Sequence, residues 1–442
     1  MLRELSRRFY RVFFAVMCAA SGLGLLTLVY FNFWFNRLQA VDQIVDFSGF
    51  LLIGFLLFLI VRYALLIVFA FLQHLERSHD PLQPHAYPHV TVLVPAHNEG
   101  KLIAAAVEPL MAMDYPRYDV VVIDDGSTDD TYERAIELVP LYGAERLKVV
   151  TQPNGGKAVA LNTGLASARG ELVLCMDGDS VLEPQTIRQA VKHFADPDVG
   201  AVGGNVKVAN RVNHLTRLQA LEYIQGLNLV RTAHAFFRRV AVIPGPVGVF
   251  RKSVLEQVGG YLPDTFAEDC ELTLRIMLAG WKIKYEPDAV AWTEAPESLA
   301  ALFKQRYRWA RGILQSMAKH KLRLLSPLPD PIDWLFLWLM VFETMIWPLM
   351  NVFALSFFIC VAYWAGLSNL IVLWWAQLTV LDIVAALFCV AMEKEDLRLT
   401  LYAAFYNVFW VTYMDFAKFF ASVDELLGVR MSWRKVERLG RI

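Results

Sequence analysis

The sequence of 442 residues predicts an α/β domain set between two blocks of membrane-spanning helices. Three observations carry this reading. Two long stretches near the N-terminus hold almost no charge, a second apolar block follows residue 330, and short β-branched runs alternate with helical segments in between. The composition agrees: 56% of residues are hydrophobic and 19% charged, against roughly 45–50% and about 25% in ordinary soluble domains. A net charge of −1 offers no basic face for a nucleic-acid partner, and the apolar content excludes intrinsic disorder. The cysteines Cys18, Cys175, Cys270, Cys360 and Cys389 are scattered without a CxxC pair, and the histidines show no HExxH spacing. Neither a disulfide scaffold nor a zinc site is expected.

The membrane elements come first in the chain. Val12 to Phe35 has no charged residue and Phe47 to Leu72 has only Arg62. Each is long enough to cross a hydrocarbon core of about 30 Å. Arg3, Arg7, Arg8 and Arg11 precede the first stretch, which is too long for the apolar region of about 7–15 residues in a cleaved signal and reads as a retained anchor. From Trp334 to Met392 the only charges are Glu343 and Asp382, so at least two crossings are expected, with a break near Gly366–Asn369. Trp334–Trp347, interrupted by Glu343 and Pro348, reads as either a separate crossing or an interfacial piece. A last apolar stretch, Leu399 to Val423, carries Asp415 and Lys418. Basic residues favour the cytoplasmic side, which places residues 75–330 in the cytoplasm. The tail (Arg430, Arg434, Lys435, Arg438, Arg441) then asks for an even number of later crossings. The expected divisions are two membrane helices over 1–75, a catalytic domain over 76–330, about three helices over 331–425 and a basic tail over 426–442.

In the middle region four runs read as strands: His89–Pro95, Asp119–Asp124, Lys148–Thr151 and Glu171–Met176. Strands alternating with helices imply parallel βαβ units, whose ligands bind beyond the carboxyl ends of the strands. Acidic residues stand at those ends. Asp177-Gly178-Asp179 follows the fourth strand, and on an extended segment two residues apart point the same way. Two carboxylates with diphosphate oxygens would suit Mg²⁺ or Mn²⁺, although such a triplet alone is also a common solvated turn. Asp124 and Asp125 close the second strand, where an aspartate serves either a turn or a nucleobase N–H and ribose hydroxyl. Asn154-Gly155-Gly156-Lys157 presents a lysine before a helix, placed for phosphate or for solvent.

Farther on, Pro244 to Phe250 forms a Gly/Pro-rich loop open to close backbone approach. Ala267-Glu268-Asp269 opens a helix, where an acidic residue is either a cap or, beside other acidic groups, a general base. Gln305, Arg308 and Trp309 fall at i, i+3 and i+4 and share one helix face. That set suits a phosphate and the apolar face of a sugar, or an amphipathic helix at a membrane surface.

In this order, the acidic pair, the DxD, the A-E-D and the Q-x-x-R-W resemble the motifs of the processive, membrane-embedded family-two glycosyltransferases. These include the cellulose, chitin, hyaluronan and poly-N-acetylglucosamine synthases, and the resemblance covers residues 88–325. The two-helix N-terminal block and Asn154-Gly-Gly-Lys157 are most similar to the poly-N-acetylglucosamine group of biofilm formation, with Ala267 where many members have Thr. The resemblance implies an α/β glycosyltransferase domain, GT-A-like with a Rossmann-type mixed sheet, flanked by N- and C-terminal transmembrane helices.

It also implies roles. Asp124 and Asp125 would bind uracil and ribose, and Lys157 would lie near the diphosphate. Asp177 and Asp179 would hold nucleotide and metal. Asp269 would be the catalytic base, and Gln305, Arg308 and Trp309 would cradle acceptor and diphosphate. The expected partners are a UDP-sugar, a growing polysaccharide, the lipid bilayer of the inner membrane and a small membrane subunit. A synthase of another β-glycan, a single-addition enzyme acting on a lipid, and an inactive membrane adaptor are the rival expectations.

Overall fold

The computed structural model describes residues 43–79, 87–365 and 368–429. The four β-branched runs form strands where expected: β1 (Val90–Ala96), β2 (Tyr118–Asp125), β3 (Leu147–Gln152) and β4 (Leu172–Cys175). They lie side by side and parallel in the order β3-β2-β1-β4. β1, β2 and β4 are buried along their whole length, so they read as continuous apolar runs rather than as alternating ones.

Four more strands extend the sheet: β5 (Ser180–Leu182), β6 (Val199–Val208), β7 (Gly248–Arg251) and β8 (Lys282–Thr293). The full order is β3-β2-β1-β4-β7-β6-β8-β5, with β7 antiparallel to both neighbours. These strands escape a reading by β-propensity, because glycine dilutes β6 and Pro287 and Asp288 interrupt β8. Their pairing supplies the reason for both features. A Cβ at Gly204 would sit 2.4 Å from the Ala289 carbonyl oxygen, and the β6–β8 register slips between Gly204 and Asn205. The Pro244–Phe250 segment, expected to be loop throughout, enters β7 at Gly248.

The helices that bear on the site are α1 (Gln43–His79), α2 (Lys157–Ser167), α3 (His214–Glu222), α4 (Glu268–Leu278) and α5 (Leu299–Lys319). α2 packs directly on the sheet, where Gly164 faces Ile123 and Leu93. α3 begins in a capping box, with Asn213 Oδ1 accepting from Thr216 N at 2.8 Å, and runs into a π-helical turn at Tyr223–Asn228.

Three helices among the described residues are long and apolar enough to cross a membrane: Phe47–Arg77, Pro331–Tyr363 and Val372–Met392. The Val12–Phe35 stretch, the N-terminal arginines and the basic tail lie outside the described residues. Trp334–Trp347 is not a crossing of its own. It belongs to one helical run made of α6 (Pro331–Val341), a π-turn at Phe342–Ile346 and α7 (Trp347–Ala365). Pro348 accounts for the turn, since it lacks an N–H and its ring crowds the carbonyl four residues back. Val372–Met392 lies within α8 (Ser368–Met392). The Leu399–Val423 segment is broken by short turns before α9 (Thr412–Leu426). α9 is tied to α5, with Arg311 Nε donating to Glu425 at 2.8 Å, and to α7, with Asp415 accepting from Asn351.

Charged groups between the apolar helices find partners, as a low-dielectric setting favours. Arg62 pairs with Glu343. Asp382 accepts from Asn407 Nδ2 at 3.0 Å and from Gln225 Nε2 at 3.1 Å. Gln225 lies in the π-turn after α3, so the α/β domain itself reaches into the helix bundle.

Candidate active site

The carboxyl ends of β2 and β3 build one wall of the site. Asp124 accepts from Thr151 Oγ1 at 2.9 Å and from Ser127 N at 3.2 Å. Asp125 accepts from Gln152 Nε2 at 2.7 Å and from the backbone N–H groups of Gly155 and Gly156 at 2.9 and 2.8 Å. Both side chains are buried. Asp125 therefore holds the Asn154–Lys157 turn in place while Asp124 braces the strand ends beside it, a duty that their expected contact with uracil and ribose did not include. Gly126 needs its left-handed backbone (φ +66°), since a Cβ there would meet Asn154 N at 2.5 Å.

Asp177-Gly178-Asp179 sits beyond β4, but not on an extended segment. Ser180 N donates to the Asp177 carbonyl at 3.1 Å, which makes the triplet a turn, so the same-side argument from strand alternation does not apply. Gly178 allows that turn to press on β1, because a Cβ would lie 3.0 Å from the Pro95 carbonyl oxygen. Asp179 is beside Ser180, with Oγ 3.5 Å from Oδ1. Carboxylates are hard oxygen donors of the kind that Mg²⁺ and Mn²⁺ take. No group of three or more His, Cys, Asp or Glu able to hold a metal gathers among the described residues. A cation such as Mg²⁺ or Mn²⁺ at these two carboxylates would need further oxygen ligands from outside the chain.

Lys157, at the start of α2, joins the pieces. Its Nζ lies 2.6 Å from Asp177 Oδ1 and 2.8 Å from Glu268 Oε1. Burial alone would lower its pKa, but the charges of Asp177, Glu268 and Asp269 outweigh that and raise it well above the ordinary lysine value. Gly245 lies against the same pair. A Cβ there would fall 3.0 Å from Lys157 Nζ and 3.3 Å from both Asp177 oxygens, so the Gly/Pro loop covers the ion pair closely.

Asp269 is in the first turn of α4, where Oδ1 accepts from Cys270 N at 2.7 Å. Burial and then the neighbouring Glu268 charge push its carboxyl up to about 6, against the pull of Lys157. A carboxylate poised near neutrality is suited to general-base work. Glu268 received no separate role in the sequence reading; its adjacency to Asp269 was the available signal.

The Gln305–Trp309 motif lies on α5, which rests against the start of α4. A Cβ at Gly312 would be 2.5 Å from Ala267 Cβ and 2.6 Å from Ala267 N, and Phe266 N donates to Gln315 at 3.1 Å. Gln305 is buried, with Oε1 accepting from Arg306 Nη1 at 2.8 Å. Arg308 and Trp309 are half-buried, and Arg308 makes no hydrogen bond or ion pair among the described residues. Lys157, Asp177, Glu268 and Asp269 thus meet in one cluster. Asp125 supports its turn with Asp124 beside it, and the Gln305–Trp309 face lies about one helical turn from the α4 contact at Gly312.

A mixed sheet with acidic turns at its carboxyl edge, one raised carboxylate and an opposed lysine is the setting in which the chain's family match is found. The chain belongs to the glycosyltransferase like family 2, whose profile matches residues 88–312. It is 33% identical over 224 residues to a poly-beta-1,6-N-acetyl-D-glucosamine synthase of Staphylococcus aureus (strain COL), covering 50% of this chain and 54% of that protein. The enzyme of the same name from Staphylococcus epidermidis is 31% identical over the same length. The chain spans about half the length of the curated relatives it matches. Among solved structures, the mannosyltransferase PcManGT from Pyrobaculum calidifontis, in complex with GDP-Man and Mn2+, has the same fold at a TM-score of 0.61. That likeness covers 95% of this chain and 99% of the other at 24% identity.

Proposed function

We propose that this chain is an inverting, processive synthase that polymerises UDP-N-acetylglucosamine into poly-β-1,6-N-acetylglucosamine. One observation carries the reading: Lys157, Asp177, Glu268 and Asp269 arrive from three separate segments and meet in one cluster under Gly245. The names of the relatives, at 33% identity over half the chain, support the choice of sugar and link.

In this reading Asp269 takes the proton of the acceptor hydroxyl while that oxygen attacks the anomeric carbon and UDP departs. A single displacement of this kind inverts an α donor to a β link and needs one base with no second nucleophile. Lys157 and the unpaired Arg308 face the negative charge of the diphosphate. Asp125, with Asp124 beside it, holds the turn that borders uracil and ribose. Gln305 and Trp309 receive the acceptor end, the indole covering a sugar face. A divalent cation at Asp177 and Asp179, Mg²⁺ or Mn²⁺, would neutralise the departing diphosphate.

The catalytic domain faces the cytoplasm and the chain crosses the inner membrane several times, with a small membrane subunit as partner. The helices pass the polymer outward. A small cavity of about 30 Å³ between them is lined by Asn351, Trp374, Trp375, Asn407, Thr412 and Asp415 among apolar side chains; its amide and indole groups suit a sugar, and passage of a polymer would require it to widen. Membrane vesicles given UDP-N-acetylglucosamine or UDP-glucose separately test the proposal. A ladder of β-1,6-linked products from the first donor alone is expected; addition of one sugar to a lipid would overturn processivity.

A further inference from the structure

The Gln305–Trp309 face has a buried support that the motif's spacing passes over. Arg306 is 5% exposed, and both of its Nη groups are engaged while its buried Nε has no hydrogen-bond partner among the described residues. Its Nη2 pairs with Glu222 at the end of α3. Its Nη1 donates to Gln305 Oε1 at 2.8 Å. Its guanidinium carbon lies 4.1 Å from the Trp309 ring centroid and 5.8 Å from that of Tyr223.

Each contact has a directional consequence. A guanidinium has donors only, so Gln305 must turn its carbonyl oxygen toward Arg306. That leaves Gln305 Nε2, which has no partner among the described residues, as the group free to meet a ligand. A planar cation stacked on Trp309 restrains the tilt of the indole, a contact worth more when desolvated than at the surface. The anchor is itself restrained: the π-turn after Glu222 carries Gln225 to Asp382 of α8, at 3.1 Å.

We propose that Arg306 is a positioning residue for acceptor recognition. It fixes the plane of Trp309 and aims the Gln305 amide N–H at an oxygen of the acceptor sugar. This inference rests on Gln305 and Trp309 being the acceptor platform.

The test uses the full chain in nanodiscs, with UDP-N-acetylglucosamine as donor and a soluble β-linked N-acetylglucosamine oligosaccharide as acceptor. Arg306→Lys keeps a charge for Glu222 but loses the planar stack and the fork. It is expected to raise the acceptor KM about tenfold while the Kd for UDP stays within about twofold. Glu222→Gln, which loosens the anchor without touching either platform residue, is expected to act in the same direction. Trp309→Ala alone is expected to raise the acceptor KM, with the Trp309→Ala/Arg306→Lys double variant raised by less than the product of the two single effects, because one of the two routes by which Arg306 acts runs through the indole. An unchanged acceptor KM in both Arg306→Lys and Glu222→Gln overturns the proposal, as does equal weakening of UDP and acceptor or additivity in the double variant. If Trp309→Ala leaves the acceptor KM unchanged, the platform itself is wrong. If it raises that KM and Arg306→Lys does not, only the role of Arg306 falls.

Discussion

At Asp269 the surroundings raise the pKa of an ordinary carboxylate to about 6, the range that general-base work would need. The proposed mechanism predicts that Asp269→Asn abolishes sugar transfer while UDP still binds, measured by product formation and calorimetry side by side. The pH dependence follows from the same group. With a carboxyl pushed up to about 6 by burial and then by Glu268, kcat/KM is expected to fall about tenfold per unit as pH drops below that value. The stability effect has the opposite sense to a usual salt-bridged aspartate. An unfolded aspartate titrates near about 3.9, so between that pH and about 6 the folded state holds the extra proton. Folding stability from this group therefore declines as pH rises through the window. Asp269→Asn removes the decline, and thermal melts of the two proteins should diverge in its favour over the same range.

Helix packing places that carboxyl relative to the Gln305–Trp309 face. Where α5 meets the start of α4, Gly312 leaves no room for a side chain against the Ala267 backbone. Gly312→Ala must push the two helices apart. The expected cost is about 1–3 kcal/mol of stability and a loss of transfer on the order of 100-fold, since a displacement of about 1 Å at a reacting centre has that effect. Melting temperature and kcat, measured on the same preparation, check both. This junction was invisible in the sequence, where Gly312 is one more residue inside a helix. The four parallel strands were legible because both faces of each are covered, which leaves a run of Val, Ile and Leu. β6 and β8 were not, because their glycines and Pro287 serve a close pairing that no local preference encodes. The site followed the same division. The acidic residues at strand ends could be picked out, while the duty of Asp125 toward Gly155 and Gly156 depended on a loop folding back onto it.

For the molecule as a whole, the docking of α1 on the α/β domain centres on a buried carboxylate. Glu286 has no exposed surface and meets Arg77 of α1 at 2.6 Å, Lys192 at 2.8 Å and His193 at 2.8 Å. Burial raises its pKa, but the hydrogen bond to His193 and the charges of Arg77, His193 and Lys192 outweigh it and bring the group down to about 2. Its contribution to stability is full above the ordinary glutamate value of about 4.3 and is lost as pH falls toward the folded value. Glu286→Ala strands Lys192 and His193 without that partner and is expected to cost about 3–5 kcal/mol, read as a lowered unfolding midpoint in detergent. Asp288→Ala, which removes only the exposed carboxylate that shares Arg77, should cost far less. Membrane helices, parallel strands and the ordered acidic motifs could be read from the chain because each is a local pattern: apolar length, β-branched runs, and charge at a strand end. The meeting of Lys157 with Asp177 and Glu268, the elevated carboxyl of Asp269 and the support of Arg306 under Trp309 belong to the folded molecule alone. They depend on distances between segments far apart in the chain and on the loss of water around them, and neither quantity is written in local sequence.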